Sequence, residues 1–477
     1  MASDTMDSIR DIGRRFGSAI VLGSAARIAV FSFAAVIALG ALLLTLPLSS
    51  SAGEWTDPVD ALFTSTSAVC VTGLIVKNTP QHWSLFGQFV ILGLIQVGGL
   101  GIMTLGAFAA ILLQQRLSLR FEAMMTDIVE PHSAESVWTL IRFVCLFTLV
   151  MEVLGATALF FSWYGDFGSF WTCLYQSVFH AVSAFCNAGF SLDPNCRAGA
   201  LNLMHYADST PINLTICLLI ILGGIGFVVV RDLLGYFRWW LVKRTGKKPR
   251  LSTHTRLVLV VTGVLLVVGF AGVFAMESGG ALKGMPLKTK VLASFFQSVT
   301  PRTAGFNTID TGISALAPAT AFLLMALMYI GGSPGSTAGG IKTTTLGIMV
   351  ASIRATLKGR NKAEMFHHSV PEETVHRVAS IILLSVAAVA VGVFVLLITE
   401  KGAGFQKVAF DAISAFGTVG LSQGLTGPGS AVSAGGRLVL TGLMFIGRLG
   451  PITLVLSVAE EKERAPYQYP EERILVG

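Results

Sequence analysis

Four short segments with similar sequences recur along the chain, and each ends in a glycine followed by a large apolar residue. The glycines are Gly73, Gly189, Gly305 and Gly420, separated by 116, 116 and 115 residues. A constant period over most of a chain is typical of repeated structural units. The sequence therefore predicts four copies of one unit. The four segments read FTSTSAVCVTGL (63–74), FHAVSAFCNAGF (179–190), FFQSVTPRTAGF (295–306) and FDAISAFGTVGL (410–421).

The runs that flank these segments are long and apolar, and they set the class of protein. Hydrophobic residues make up 53% of the 477 residues, and charged residues only 13%. Because soluble chains average about 25% charged residues, this composition argues against a soluble enzyme, a disordered chain or a nucleic-acid-binding protein. Eight runs could cross about 30 Å of hydrocarbon. They lie near 26–46, 86–113, 138–163, 212–238, 254–276, 318–350 (interrupted), 375–399 and 436–458.

Between the two runs of each pair lies a shorter apolar stretch, near 58–70, 170–186, 288–300 and 404–417. These stretches are too short to cross and too apolar for surface loops, so they are interpreted as re-entrant half-helices. The predicted fold is an all-α polytopic membrane protein with four pseudo-symmetric M1–P–M2 repeats around one ion pathway. The expected divisions are an N-terminal arm (1–25), repeats at 26–115, 136–244, 253–352 (with an intramembrane loop at 331–345) and 374–458, and a C-terminal tail (459–477).

The basic residues predict the orientation. Most of the 34 Lys and Arg residues fall in the N-terminal arm, the connections 114–135, 231–256 and 353–377, and the tail. The positive-inside rule then places both termini in the cytoplasm. The basic stretch 238–250 is interpreted as a topology signal that contacts anionic lipid, with no role for nucleic acid. The first apolar run lacks an obvious cleavage site and is interpreted as an uncleaved span.

The second span of each unit carries a recurring glycine motif. Close helix packing through small residues is the simplest interpretation of the first two copies, at 98–101 and 223–226. The third copy opens the stretch GGSPGSTAGG (331–340), which cannot hold a helix and predicts a mobile intramembrane loop, a candidate gate. In the fourth copy Arg448 replaces the second glycine within an otherwise apolar run. A buried Arg is costly, so Arg448 is expected to face the central pathway; snorkelling to the surface is the alternative.

The half-helices suggest how such a protein would attract a cation. A half-helix that ends near the midplane points the negative end of its dipole into the membrane. The returning strand could then replace the hydration shell of a cation with backbone carbonyls. No carboxylate stands at the four glycine positions, which favours a monovalent cation over a divalent one. The alternative, that the four glycines are only turn residues, does not account for the constant spacing and similar flanks.

Further stretches carry a family resemblance. The four pore segments, together with MYIGGSPGSTAGGIKTTT (328–345), MFIGRLGPIT (444–453) and the terminal YPEERILVG (469–477), resemble the Trk/Ktr/HKT superfamily of potassium transporters. Within it, the last three of these stretches are most similar to the membrane subunits (KtrB) of bacterial Ktr systems. The resemblance runs from about residue 25 to the end of the chain.

The resemblance implies a function and a set of site residues. It implies K⁺ uptake that is passive or influenced by Na⁺ (symport), through a filter formed by the residues before and at each repeat glycine. The filter strands would be Val71-Thr72-Gly73, Asn187-Ala188-Gly189, Thr303-Ala304-Gly305 and Thr418-Val419-Gly420. The gate would comprise Gly331, Gly332, Ser333, Gly335, Ser336, Thr337, Gly339, Gly340, Lys342 and Arg448.

The resemblance also implies partners and a location. They are a homodimer in the bacterial inner membrane and a KtrA-like cytoplasmic ring of nucleotide-binding subunits. This chain has no complete GxGxxG in a strand–helix setting and no GxxxxGK[ST], so it is expected to bind no nucleotide itself. Each filter strand has one glycine where a strictly selective potassium channel has two, and Asn187 adds a polar side chain. Both features weaken the expectation of strict selectivity for K⁺ over Na⁺.

Other interpretations stay open at this point. A membrane-embedded enzyme would need a cluster of acids or histidines, whereas Glu152 and Asp232 form no recurring constellation. An inverted-repeat secondary transporter would need an odd number of crossings per repeat, which the period contradicts. Arg302, beside the third strand, could be a tether bound by carbonyls or a charge at the outer mouth. The six cysteines show no metal-site spacing and are expected as buried thiols, with a disulfide as the alternative.

Overall fold

The computed structural model describes residues 25–101, 137–192, 202–241, 250–360, 362–430 and 432–458. The N-terminal arm, the connection 114–135, the centre of the basic stretch and the C-terminal tail lie outside these residues. Within them the chain is almost entirely helical. A two-stranded antiparallel hairpin, β1 (Glu364–Met365) and β2 (His368–Ser369), lies between units 3 and 4.

Each unit contains a long first helix, a short pore helix and a second helical part. The first helices are α1 (Ala25–Thr45), α5 (Val137–Trp163), α9 (Thr253–Glu277) and α13 (Glu372–Thr399). The pore helices are α2 (Pro58–Val69), α6 (Phe170–Phe185), α10 (Leu287–Val299) and α14 (Phe405–Gly417). The second parts comprise α3 (Thr79–His82) and α4 (Leu85–Leu100), α7 (Thr210–Gly224) and α8 (Phe227–Leu241), α11 (Pro318–Tyr329) and α12 (Thr343–Leu357), and α15 (Ala434–Leu449) and α16 (Pro451–Val458).

The first helices are the longest apolar elements. Among the described residues, four helices are long and apolar enough to cross a membrane: α1, α5, α9 and α13. A fifth span results if α7 and α8 count as one bent helix. The first helices keep large apolar side chains on their outer faces, such as Phe31, Phe161 and Phe394. An apolar belt of this extent suits a protein that is solvated by lipid.

The core is built from the repeated segments themselves. Phe63, Phe179 and Phe410 stand ten residues before the glycine of their units and are fully buried. The large apolar residue after each glycine is buried too, at Leu74, Phe190, Phe306 and Leu421. Inside a membrane such burial stabilises through close packing, because lipid is as apolar as the side chains themselves. The recurring pattern of the sequence therefore fixes each segment to the core on both sides of its glycine.

The second spans differ from the continuous helices expected at 212–238 and 436–458. Helix α7 ends at Gly224, and α8 leaves it at an angle of 106°. Helix α15 ends at Leu449, and α16 begins at Pro451. In both units the break contains a glycine with positive φ, Gly226 (+93°) or Gly450 (+86°), which a non-glycine residue adopts only at a cost. Of the run 86–113, only the part to Gly101 is described.

The glycine motif also packs, as the simpler interpretation expected. A Cβ atom at Gly98 would lie 2.0 Å from the Val69 carbonyl oxygen, and one at Gly223 would lie 2.0 Å from that of Phe185. Both carbonyls belong to the C-terminal residue of a pore helix. The first glycine of the motif therefore lets the second helix contact the pore-helix backbone, and the last glycine ends the helix.

A buried ion pair joins the first and last units. Asp60, at the start of α2, is 3% exposed. It accepts a hydrogen bond from Nη1 of Arg437 in α15, and Lys77 Nζ lies 3.3 Å from its Oδ2 atom. Asp60 is buried, but the side chains of Arg437 and Lys77 are 24% and 41% exposed, so losing the carboxylate costs less than the about 3–5 kcal/mol of a fully buried pair. Asp60 therefore holds unit 4 against unit 1.

Asp60→Asn is expected to lower the melting temperature of the purified protein clearly, because Arg437 loses its buried counter-charge. The matched control is Glu364→Gln, which breaks the exposed pair between Arg360 and Glu364. Exposed pairs contribute about 0–1 kcal/mol, so this variant should unfold close to the parent temperature. Unfolding followed by tryptophan fluorescence compares the two. Equal melting temperatures for both variants would contradict the role of Asp60.

Candidate functional site

The strand after each pore helix has the same unusual backbone in all four units. Two residues adopt positive φ, and one ordinary residue separates them. The second of the two is the repeat glycine. Positive φ is rare for non-glycine residues, above all for β-branched ones, and the surrounding structure must enforce it. The angles are +56° at Val71, +60° at Asn187, +68° at Thr303 and +52° at Thr418, and +85°, +70°, +74° and +94° at Gly73, Gly189, Gly305 and Gly420.

Hydrogen bonds from the end of the pore helix enforce this backbone. The Ser67 hydroxyl donates to the Leu74 carbonyl, and the Ser183 hydroxyl donates to the Phe190 carbonyl, both at 2.7 Å. In unit 3 the Thr300 hydroxyl donates to the Phe306 carbonyl. Each hydroxyl thus binds the residue just after the repeat glycine and bends the strand back beside its own helix.

Unit 4 reaches the same shape with a different bond. There the Gly420 amide donates to the Ser414 hydroxyl at 3.1 Å. The Val419 amide donates to the Ser414 carbonyl at 2.9 Å, as the Thr72 and Ala188 amides do to the Ser67 and Ser183 carbonyls. Ser414 stands six residues before its glycine, as Ser67 and Ser183 do. Its hydroxyl, however, accepts a hydrogen bond from the strand, whereas theirs donate to it.

The four glycines form a closed ring. A Cβ atom at each glycine would lie 2.2–2.6 Å from the carbonyl oxygen just before the glycine of the next unit. The contacts run from unit 1 to 2, from 2 to 3, from 3 to 4, and from 4 back to 1. Only glycine fits such an approach between backbones. The carbonyl oxygens concerned are those of Thr72, Ala188, Ala304 and Val419, which face Gly420, Gly73, Gly189 and Gly305 respectively.

A cavity of about 160 Å³ opens on one side of the ring, and we call it the vestibule. All four ring glycines line it. Asp310 is the one charged side chain among its described lining residues, alongside amide and hydroxyl groups of Asn78, Asn202, Asn307 and Thr311. Hydroxyl and amide groups, with one carboxylate and neither Lys nor Arg among the described lining residues, suit a cation that still carries part of its hydration shell.

The broken third span lies on the opposite side of the ring. The Ser333 amide donates to the Gly224 carbonyl at 3.0 Å, and the Thr337 amide donates to that of Gly223 at 3.2 Å. The Gly340 amide donates to the Gly447 carbonyl at 3.2 Å. The segment 331–342 is therefore bound to the second helices of both neighbouring units, at the level where these helices meet the pore helices.

Three cationic side chains hold this loop through backbone carbonyls. Arg448 donates from Nη1 to Thr337 and from Nη2 to Gly98, so it ties the loop to unit 1. Lys342 Nζ donates to the Ala338 carbonyl at 2.7 Å. Among the described residues, neither side chain has an acidic partner. Arg302 Nη2 adds a bond to the Gly331 carbonyl at 3.4 Å.

These contacts settle two questions that the sequence left open. Arg302 is buried and reaches the loop, so the tether interpretation is correct and the charge at the outer mouth is not observed. The Asn187 side chain is fully buried, its amide nitrogen lies 3.4 Å from both the Arg302 carbonyl oxygen and the Thr303 hydroxyl, and Asn187 is not among the residues that line the vestibule. Its side chain therefore does not enter the vestibule. The five described cysteines are free thiols; Cys196 lies outside the described residues.

Sequence reasoning missed two buried polar residues near the ring, His180 and Asp411. Both stand nine residues before the repeat glycine of their units, and both bind the strand that leaves the ring. Alignment of the four segments on their glycines could have found them, because a charged or ionisable residue within an apolar pore helix is expensive unless it has a role.

Known proteins match this chain over almost its whole length. The family model described as TrkH, cation transport protein, matches residues 24–467. The chain belongs to this family. A potassium/sodium uptake protein, NtpJ, of Enterococcus hirae is 40% identical over 454 residues, 93% of this chain and 95% of the relative. The Ktr system potassium uptake protein B of Bacillus subtilis is 36% identical over 455 residues, 94% and 96% of the two chains.

A solved structure has the same fold. The potassium transporter TrkH from Vibrio parahaemolyticus superposes with a TM-score of 0.66 at 20% identity, over 92% of this chain and 86% of that one. The predicted fold class, a polytopic helical membrane protein, is therefore confirmed, and so is the resemblance. Since the TrkH family transports cations, the chain is a transport protein and not an enzyme.

Proposed function

We propose that this TrkH-family chain is the membrane subunit of a potassium uptake system and conducts K⁺ through the glycine ring. The observation that carries the proposal is the closed ring of four glycines, each in contact with a carbonyl of the next strand. Carbonyl rings select monovalent cations by replacing their hydration shell. The relatives support K⁺ as the ion, since NtpJ is a potassium/sodium uptake protein and protein B is a potassium uptake protein.

The twelve residues of the proposed filter lie in the four strands at the ring. The pore helices end at these strands, so the negative ends of their dipoles converge on the ion. Among the described residues no cluster of three or more His, Cys, Asp and Glu side chains could hold a metal ion. Selection would therefore depend on backbone oxygens, without a ring of acids.

The proposed gate is the loop 331–342 with its cationic side chains. The loop lies on the side of the ring opposite the vestibule, and the basic side chains of Arg448 and Lys342 bind carbonyls there. A permeating cation would be repelled by the charge of Arg448 and blocked by the loop. Opening would require the bonds from Arg448 to break, which links conduction to movement of the loop.

Regulation, assembly and location complete the proposal. A cytoplasmic nucleotide-binding ring of the KtrA type would displace the loop by docking on the connections between units. The protein would function as a homodimer in the bacterial inner membrane, with both termini cytoplasmic, basic connections on anionic lipid, and unit boundaries near 26–115, 136–244, 253–352 and 374–458. The word "system" in the name of protein B supports a partner subunit, and the name of NtpJ supports Na⁺ as a second ion, by symport or stimulation.

The direct test is ⁸⁶Rb⁺ uptake into liposomes that contain the purified protein and a K⁺ gradient. We expect uptake above that of empty liposomes, competition by K⁺ at lower concentration than by Na⁺, and no effect of Mg²⁺ at equal ionic strength. Uptake of Na⁺ without Rb⁺ would contradict the assignment of K⁺. Repeating the assay with a candidate regulatory ring tests the partner separately.

A further inference from the structure

One position of the repeated segment carries a buried charge in unit 3 alone. The position three residues before the ring glycine holds Cys70 in unit 1, Cys186 in unit 2 and Gly417 in unit 4. Both cysteines are free thiols, so none of these three residues brings a charge. Unit 3 has Arg302 at this position, and its side chain is buried, with 6% exposure. The four segments are therefore equivalent in backbone but unequal in charge.

The guanidinium of Arg302 has few partners. Its Nη2 atom lies 3.4 Å from the Gly331 carbonyl oxygen, and its buried Nη1 atom has no hydrogen-bond partner among the described residues. Nor does a carboxylate of the described residues form an ion pair with it. An arginine keeps its charge in proteins, and burying a charge with so little compensation is costly. Packing alone does not account for it, because an apolar side chain of similar length would avoid this cost.

The end of α10 supplies part of the missing compensation. Arg302 stands three residues beyond Val299, the last residue of this pore helix, and its amide donates to the Val299 carbonyl at 3.1 Å. The C-terminal end of a helix carries about half a negative charge. This end stabilises a cationic side chain next to it. In return, the cationic side chain offsets the attraction that α10 would exert on an ion in the ring.

The contacts of the side chain show where the charge lies. Arg302 directly precedes the filter residue Thr303. Gly331, whose carbonyl the guanidinium reaches, touches Gly339, since a Cβ atom at Gly331 would lie 2.0 Å from the Gly339 carbonyl oxygen. A Cβ atom at Gly339 would in turn lie 2.2 Å from Oγ1 of Thr418, in the filter strand of unit 4. The side chain therefore runs from the strand of unit 3 to the segment that packs on the strand of unit 4.

Arg302 differs from the other basic side chains of this region in its attachment. Arg448 belongs to α15, and Lys342 belongs to the loop that forms the proposed gate. Arg302 belongs to the pore segment itself, between α10 and the ring glycine. Its charge therefore stays beside the ring when the loop moves.

We propose that Arg302 is an affinity-determining residue of the filter, a fixed positive charge that weakens the binding of an alkali-metal cation at the ring. Conduction requires binding that is favourable enough for entry and weak enough for release. The converging helix ends and the carbonyls favour entry, and Arg302 offsets part of their attraction, so the ion is not trapped. This inference rests on the proposed function, because it assumes that the ring is the cation filter.

The test separates the charge of Arg302 from its hydrogen bond. Arg302→Gln removes the charge and keeps a donor, whereas Arg302→Lys keeps the charge. The concentration dependence of ⁸⁶Rb⁺ uptake in liposomes, at constant ionic strength, measures the half-saturating concentration. We expect Arg302→Gln to lower it about 3- to 10-fold, the effect of a charge roughly 10 Å away at an effective dielectric constant of about 20. Arg302→Lys should change it less than about twofold, because the charge remains.

A second neutral variant and a control make the result specific. Arg302→Met removes the charge and all donors, and it should lower the half-saturating concentration as Arg302→Gln does. Both neutral variants should melt close to the parent temperature, because a poorly compensated charge contributes little to stability. The control is Arg360→Gln, which removes an exposed arginine paired with Glu364 and should leave the half-saturating concentration unchanged.

Three results would overturn the role of Arg302. The first is a half-saturating concentration that is unchanged or raised in both neutral variants. The second is the same change in Arg302→Lys as in Arg302→Gln, which would assign the effect to the hydrogen bond with Gly331. The third is a large loss of melting temperature in both neutral variants, which would show a structural role. A failure of the proposed filter would appear elsewhere, as unchanged selectivity for K⁺ over Na⁺ in variants of the ring glycines.

Discussion

Arg448→Ala is expected to raise the maximal rate of ⁸⁶Rb⁺ uptake about tenfold in liposomes without a regulatory partner. The side chain binds the loop at Thr337 and unit 1 at Gly98. A hydrogen bond from a charged donor contributes about 1.5–3 kcal/mol, and a shift of 1.4 kcal/mol changes an equilibrium about tenfold. Removing the guanidinium also removes a charge that repels the permeating ion.

Two further variants make this prediction specific. Lys342→Met removes a second cation of the loop and should raise the rate in the same direction, by less, because Lys342 has one carbonyl partner. Arg360→Ala, an exposed arginine of the connection between units 3 and 4, is the matched control and should leave the rate unchanged. If Arg448→Ala and a variant lacking residues 334–338 both keep the parent rate, this segment is not the gate.

Gly305→Ser is expected to lower the preference for K⁺ over Na⁺ about tenfold or more. A Cβ atom at this position would lie 2.3 Å from the Val419 carbonyl oxygen, so the strand of unit 4 must move and its oxygen leaves the ring. A left-handed backbone adds about 1–2 kcal/mol for a residue with a side chain. Competition of Na⁺ against ⁸⁶Rb⁺ uptake measures the change.

The control separates the collision from the backbone cost. Gly53 has φ of +70°, close to the +74° of Gly305, but a Cβ atom there would meet nothing within 4 Å. Gly53→Ser should therefore destabilise the protein slightly and leave selectivity unchanged. The same serine at Gly73, Gly189 and Gly420 should act like that at Gly305. Unchanged affinity and selectivity in all four variants would refute the filter.

The sequence predicted the helices that depend on hydropathy and repetition. The half-helix expected at 58–70 is α2 (Pro58–Val69), and the one at 404–417 is α14 (Phe405–Gly417). The first spans agree as closely, because uninterrupted apolar residues allow few alternatives in lipid. The fourfold period also indicated equivalent glycines, and the structure brings them into one ring.

The breaks in the second helices and the positive φ angles of the strands could not be predicted from hydropathy and repetition. A glycine in a membrane helix serves packing or a break equally well, and Gly223 and Gly226 do one each within four residues. Val71 and Thr418 oppose positive φ by their own preferences, and only the tertiary contacts around the ring enforce it. The opposed pair His180 and Asp411 also depends on which units face each other, which the sequence does not record.

The contacts between the first and the last unit have a consequence for biogenesis. Gly420 contacts the Thr72 carbonyl, and Arg437 pairs with Asp60, so the last unit to leave the ribosome completes structures begun by the first. A nascent chain with three inserted units has three strands of four, and Asp60 keeps Lys77 but lacks Arg437. If the ring is the proposed filter, the filter is complete only when the final unit is in place. A product truncated before unit 4 would lack both the fourth strand of the ring and the Arg437 partner of Asp60.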